Sequence, residues 1–121
     1  MEELLSKIGE EYQMFFEDGN YRGCFYPVYV LYPHLPKYPL NAKDPSESWE
    51  YGLNLILNHA DRIKGVEAKE GDLLVCRYNN ELHVAVVLAD NKCIHVFRGH
   101  TMRINRLSFF GERPLMFFRV K

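Results

Sequence analysis

From Gly71 onward the chain reads as short apolar runs broken by turn residues: DLLVCRY, LHVAVVL, KCIHVFR, TMRINRL and PLMFFRV. Runs of this length, rich in β-branched and aromatic residues and bounded by Asn, Asp, Gly and Pro, are strand material. Upstream the period is different. Leu4, Leu5, Ile8, Tyr12, Phe15 and Phe16 recur at helical spacing, which predicts an amphipathic helix over 2–16, closed by the turn chemistry of Asp18-Gly19-Asn20. Asp44-Pro45-Ser46-Glu47 combines a capping aspartate, a proline suited to the first helical position and a capping-box glutamate. A second helix is therefore predicted over 45–63, with Trp49, Leu53, Ile56, Leu57, Ala60 and Ile63 as its apolar stripe and Lys64-Gly65 as its stop. Helices first and strands afterwards predict an α+β domain, with the helices packed on a roughly five-stranded antiparallel sheet across 71–120.

At 121 residues this is one domain, 1–121, with enough chain to bury a single core. The net charge of −1 gives no electrostatic case for nucleic acid or an anionic membrane surface as partner. No apolar run approaches a membrane span. The acidic, amphipathic start MEELLSKIGEEYQMFF lacks the basic n-region and apolar h-region of an export signal, so the chain is expected to be cytoplasmic as synthesised. Cys24, Cys76 and Cys93 are an odd number in such a chain and are expected to be free thiols.

The stretch ELHVAVVLADNKCIHVF, 81–97, places two histidines, His83 and His95, in adjoining strands otherwise suited to burial. Their relation depends on the loop between the strands. A two-residue loop at Asp90-Asn91 sets the rings on opposite faces. A three-residue loop, Ala89-Asp90-Asn91, pairs 88 with 92 and sets His95 opposite Ala85. The rings then share a face as diagonal neighbours, roughly 7–8 Å apart at the backbone. Asn91 suits the left-handed residue that such a loop uses. A lone histidine in a strand is more often a packed residue than a working one, as are His34 in a Pro-rich loop, His59 in a helix and His100 in a turn. A free cysteine is likewise often just a small buried hydrophobe. The stretch CFYPVYVLYP, 24–33, has no decisive period; if it is a helix, Pro27 is tolerated only in its first turn, which puts Cys24 at the helix N-terminus and gives it weight. A helix N-terminus and a nearby imidazole both lower a thiol pKa, and the imidazole needs a third polar group to orient it.

The order Cys24, His83, His95, with the second histidine twelve residues after the first, resembles the NlpC/P60 cysteine peptidases. GDLLVCR at 71–77 is similar to that family's Gly-Asp-Leu strand opening, and HVAVVLADNKCIHV at 83–96 to its His-Val-Gly-Ile hairpin and second histidine. Tyr12 precedes Cys24 by twelve residues, as a family tyrosine commonly precedes the nucleophile, and LMFFRV resembles the closing strand of the phage tail-associated branch. The resemblance implies a papain-like fold and a thiol peptidase or amidase without cofactor or metal, acting on a peptidoglycan peptide. It implies Cys24 as nucleophile, His83 as base, His95 as its orienting residue, and the Tyr12 hydroxyl with the Cys24 N–H as oxyanion donors.

The match departs at the nucleophile. The family motif is Asp-Cys followed by Ser or Trp and Gly, whereas this chain has Arg22-Gly23-Cys24-Phe25-Tyr26-Pro27. That departure supports the alternative of a catalytically altered or inactive binding or structural module of phage or prophage origin, associated with a virion. A third reading is zinc held by Cys24, His83 and His95, although the chain has no closely spaced ligand pair such as Cys-x-x-Cys. Arg98, Arg103 and Arg106 near the hairpin ends either meet substrate carboxylates or guard a sheet edge with charge.

Overall fold

The structure, a computed structural model, describes residues 1–10, 23–36, 45–78, 81–97 and 100–121, with backbone alone at 45–51 and 81. It is an α+β domain built on one antiparallel sheet. Its helices are α1 (Glu2–Leu5), α2 (Tyr26–Leu31) and α3 (Pro45–His59). Its strands are β1 (Ala60–Ile63), β2 (Leu73–Tyr78), β3 (Glu81–Leu88), β4 (Lys92–His95), β5 (Arg103–Arg106) and β6 (Met116–Val120), in the order β1-β6-β2-β3-β4-β5. Among the described residues no helix is long and apolar enough to cross a membrane.

Three elements differ from the sequence expectation. The first helix covers only Glu2–Leu5; turns follow over 6–9, and Gly9, at φ +94°, donates its N–H to the Met102 carbonyl at 2.8 Å. The positive φ is open to glycine and breaks the helical path. The remainder of that predicted helix lies outside the described residues. The second helix stops at His59 rather than Ile63, because 60–63 pair with 117–120 as β1. The His59 carbonyl then accepts from the Lys121 N–H at 3.0 Å. Covering the edge of β6 satisfies a row of backbone groups that four more helical residues would leave open. The sheet accordingly has six strands where five were expected. Of the α3 stripe, Ile56 and Ala60 are buried as predicted but Leu57 is exposed, and the Trp49 side chain lies outside the described residues.

The hairpin has the odd loop. Leu88 pairs with Lys92, Val87 with Cys93 and Val86 with Ile94, and positive φ at Asp90 (60°) and Asn91 (57°) turns the chain. Strand alternation then divides the core in two. Leu73, Val75, Leu82, Val84, Val86, Ile94 and Phe118 pack against the helices in one cluster. Leu74, Cys76, Ala85, Val87, Cys93 and Phe117 form the other, covered by Phe110 from the single turn Leu107–Phe110.

At the entry to β2, Gly71 takes φ +94° and its carbonyl accepts from the Tyr32 hydroxyl at 2.6 Å. The next residue, Asp72, is buried and bound by both Nε (3.0 Å) and Nη2 (2.8 Å) of Arg119 on β6. Burial alone would raise its carboxyl; the Arg119 hydrogen bonds and the Lys69 N–H outweigh that and hold it below the usual carboxylate range. This clamp ties the start of β2 to the β1–β6 end of the sheet and leaves the far end, β3 to β5, to carry the histidines.

Candidate active site

His83 is the third residue of β3, opposite Cys76 on β2, and His95 closes β4, opposite Arg103 on β5. Both rings fall on the sheet face away from the helices. His83 Nε2 lies 3.0 Å from His95 Nδ1, and His95 Nε2 lies 2.8 Å from Asn105 Oδ1. The rings sit among aromatics: Phe97 stacks on His83 with centroids 4.2 Å apart at 18°, and Phe110 lies 5.9 Å from His83 and 5.4 Å from His95. His83 is 4% exposed and His95 is fully buried. Burial, reinforced by the neighbouring ring, pushes the His83 pKa down to about 3. His95 is lowered too, by burial and by the charge of Arg103, against the opposing hydrogen bond to Asn105. Both imidazoles are therefore neutral near pH 7.

Cys24 lies in the 3-10 turn Gly23–Phe25 that runs into α2, with Pro27 in the first turn as the sequence requires. A six-residue helix carries little dipole at its start. Cys24 is buried in the helix-side cluster with Leu82 and Val84. Its Sγ–H points at the Leu82 carbonyl, 3.8 Å away, so the sulfur abuts the peptide that joins Leu82 to His83. Among the described residues no hydrogen bond joins that sulfur to either ring. The fold thus brings the two imidazoles together, but they do not turn toward Cys24 as a nucleophile–base pair requires: strand alternation puts the rings on one side of β3 and the thiol on the other, beside the backbone that leads into His83.

Tyr12 and Arg98 lie outside the described residues. Arg103 and Arg106 are exposed on β5, the last strand of the sheet, where like-charged Lys92 stands opposite Arg106; this is the placement of edge-guarding charge. No group of three or more His, Cys, Asp or Glu among the described residues is arranged to hold a metal, so Cys24, His83 and His95 do not form such a group. Asn105 and Phe97 were not singled out in the sequence. Asn105 is the one amide in MRINR, and only the β4–β5 register, Cys93 opposite Asn105, reveals that it shares the histidines' face. No protein-family model matches the chain, and no curated protein matches its sequence.

The three thiols differ in setting. Burial pushes Cys76 up to about 11 and Cys93 up to about 12. At pH 6 their thiolate fractions are on the order of one in 10⁵ or less, and the thiolate is the reacting species. Cys24 is expected to react with iodoacetamide about tenfold faster or more than either of them. Peptide mass spectrometry after timed labelling checks this; equal rates at all three, or an unlabelled Cys24, would count against a reactive thiol.

Proposed function

We propose that this protein is a thiol peptidase or amidase of the NlpC/P60 type, with a papain-like arrangement, that hydrolyses an amide bond in a cell-wall peptide. The observation that carries the reading is the 3.0 Å contact between His83 and His95 on one sheet face, with Cys24 beside the Leu82–His83 peptide. Two buried neutral imidazoles in contact serve no evident packing purpose that an apolar pair would not serve better. A base with a second ring to orient it does need them.

In the proposed cycle the Cys24 thiol loses its proton to His83 as the sulfur attacks the carbonyl carbon. The tetrahedral oxyanion is met by the Cys24 N–H and, by resemblance, the Tyr12 hydroxyl. His83 then gives the proton to the departing amine as the C–N bond breaks, and water, deprotonated by His83, releases the acyl group from sulfur. His95 holds the His83 ring throughout. The His83 ring starts as a weak base on the sheet face away from the helices, whereas the Cys24 sulfur lies in the helix-side cluster, so the cycle requires the start of β3 and the turn Gly23–Phe25 to rearrange until sulfur and ring share a face.

A second reading, a non-catalytic binding or structural module of phage or prophage origin, is favoured by the depth of the rings and by the separation of the sulfur into the helix-side cluster. Incubation with purified peptidoglycan separates the two. Mass spectrometry of the soluble fraction is expected to find released peptides with the native chain and none with Cys24→Ala. No release by either protein, across walls of differing peptide chemistry, would favour the module.

A further inference from the structure

We propose that Asn105 is a positioning residue that sets the protonation of both imidazoles and leaves His83 with its unprotonated nitrogen at Nδ1. The inference deepens the proposed function and rests on it only in calling His83 a base; the tautomers themselves are properties of the folded chain.

The argument follows the hydrogen bonds inward from β5. Asn105 and Arg103 fall on the histidines' face, Arg103 directly opposite His95 and Asn105 opposite Cys93, which makes Asn105 the diagonal neighbour of His95. An amide oxygen has lone pairs and no hydrogen. Asn105 Oδ1, 2.8 Å from His95 Nε2, therefore requires a proton on that nitrogen. A neutral imidazole carries one N–H, so His95 Nδ1 is an acceptor. Its partner at 3.0 Å, His83 Nε2, must then be the donor. That consumes the single N–H of His83 and leaves a lone pair at Nδ1.

Neutrality is supplied by burial. Both rings are pushed below the ordinary imidazole range, and the exposed Arg103 further disfavours a charge on His95. The reverse arrangement, with the Asn105 amide turned to present its NH₂, runs every bond the other way and puts the hydrogen of His83 on Nδ1. Among the described residues the hydrogen bond to His95 is the one that the His83 ring makes. An N–H at Nδ1 would be a buried donor with no acceptor, whereas a bare nitrogen is a less costly orphan. The arrangement with Oδ1 toward His95 is thus the one in which both N–H groups of the pair are satisfied. It also makes one side chain on the sheet's last strand responsible for the chemistry of a ring two strands away.

The test is a long-range ¹H–¹⁵N correlation spectrum of the full-length, ¹⁵N-labelled protein near pH 7, with the rings assigned by single replacement. Both rings are expected as Nε2–H tautomers, with His83 Nδ1 showing the shift of an unprotonated nitrogen. Asn105→Leu removes the acceptor and is expected to mix the tautomers of both rings. Asn105→Asp keeps an oxygen acceptor and is expected to preserve the native pattern, read at about pH 8 because a carboxylate raises an adjacent imidazole's pKa. If the chain hydrolyses wall peptides, Asn105→Leu should slow it by about 10–100-fold, by analogy with the loss of an outer hydrogen-bond partner of a metal-bound histidine, and Asn105→Asp should restore most of that. A hydrogen on His83 Nδ1 in the native protein overturns the assignment, as does an Asn105→Leu spectrum with both tautomers intact. Should Asn105→Leu fail to fold, the native and Asn105→Asp spectra still decide. Hydrolysis together with an Nδ1–H on His83 would overturn the assignment and leave the proposed function standing. The expected tautomers in a chain that cuts no wall peptide would support the assignment and remove the function.

Discussion

Replacing His83 with alanine is expected to lower kcat/KM for wall-peptide hydrolysis by about 10²–10⁴-fold, the usual contribution of a positioned base. His95→Ala is expected to cost less, because the ring that moves the proton survives and only its orientation is lost. The ordering follows from position. His83 adjoins Leu82, whose carbonyl receives the Cys24 thiol, while His95 lies on the next strand and touches His83. Either replacement also opens space beside Phe97 and Phe110, so stability must be measured alongside rate. His83→Gln fills more of that space without supplying a base and should be as inactive as His83→Ala. Full activity in His83→Ala, or a greater loss in His95→Ala than in His83→Ala, would remove the assigned roles.

Acid is expected to destabilise the fold well before its carboxylates protonate. His83 has an ordinary value of 6.5 when unfolded and is pushed down to about 3 by burial and by His95. Between those values the unfolded chain binds a proton that the folded chain refuses, so stability falls as pH falls through this window. At 1.36 kcal/mol per unit, His83 alone accounts for about 3 kcal/mol between pH 6.5 and pH 4. His95, lowered for the same main reason, adds to it in the same direction. Asp72 enters later: its folded value is depressed, so its contribution is present above the unfolded carboxylate pKa and is lost as pH falls through the folded one. Urea unfolding at pH 7, 5.5 and 4 should show the midpoint dropping steadily. His83→Gln, which does not titrate, should flatten that dependence. A native chain equally stable at pH 7 and pH 4 would mean that the rings are not buried as neutral groups.

These two expectations share a cause that strand alternation supplies. The loop Ala89-Asp90-Asn91 has an odd number of residues, and parity alone then places His83 and His95 on one face. That much could be argued on paper, as could the helix-to-strand switch near Gly71 and the place of Pro27 in the first turn of α2. Each is a local matter, set by a period of two or 3.6 residues or by a missing N–H. The apolar spacing of the first helix continues past Leu5, yet the helix gives way to turns over 6–9, where Gly9 bonds to Met102. Periodicity carries no information about a partner ninety positions away.

What the sequence by itself determined is the material of the sheet; for its central hairpin it allowed either loop parity, and the observed register chose the odd one that gives the two histidines a shared face. What only the tertiary structure decided is everything set by strands distant in the chain. Residues 60–63 extend a helical stripe in the sequence, yet they became β1 because the edge of β6 offered hydrogen bonds there. Asn105 reads as an unremarkable edge residue until β5 docks against β4 and brings its oxygen to His95. The burial that neutralises both rings comes from Phe97 and Phe110 closing over them. Cys24, thirty-six residues before the start of β1 and further still before β3, reached the Leu82 carbonyl through packing of α2 and not through any pattern around it. Side-chain period is a property of neighbouring residues, whereas desolvation and hydrogen-bond partners belong to surfaces that exist only once the strands have paired.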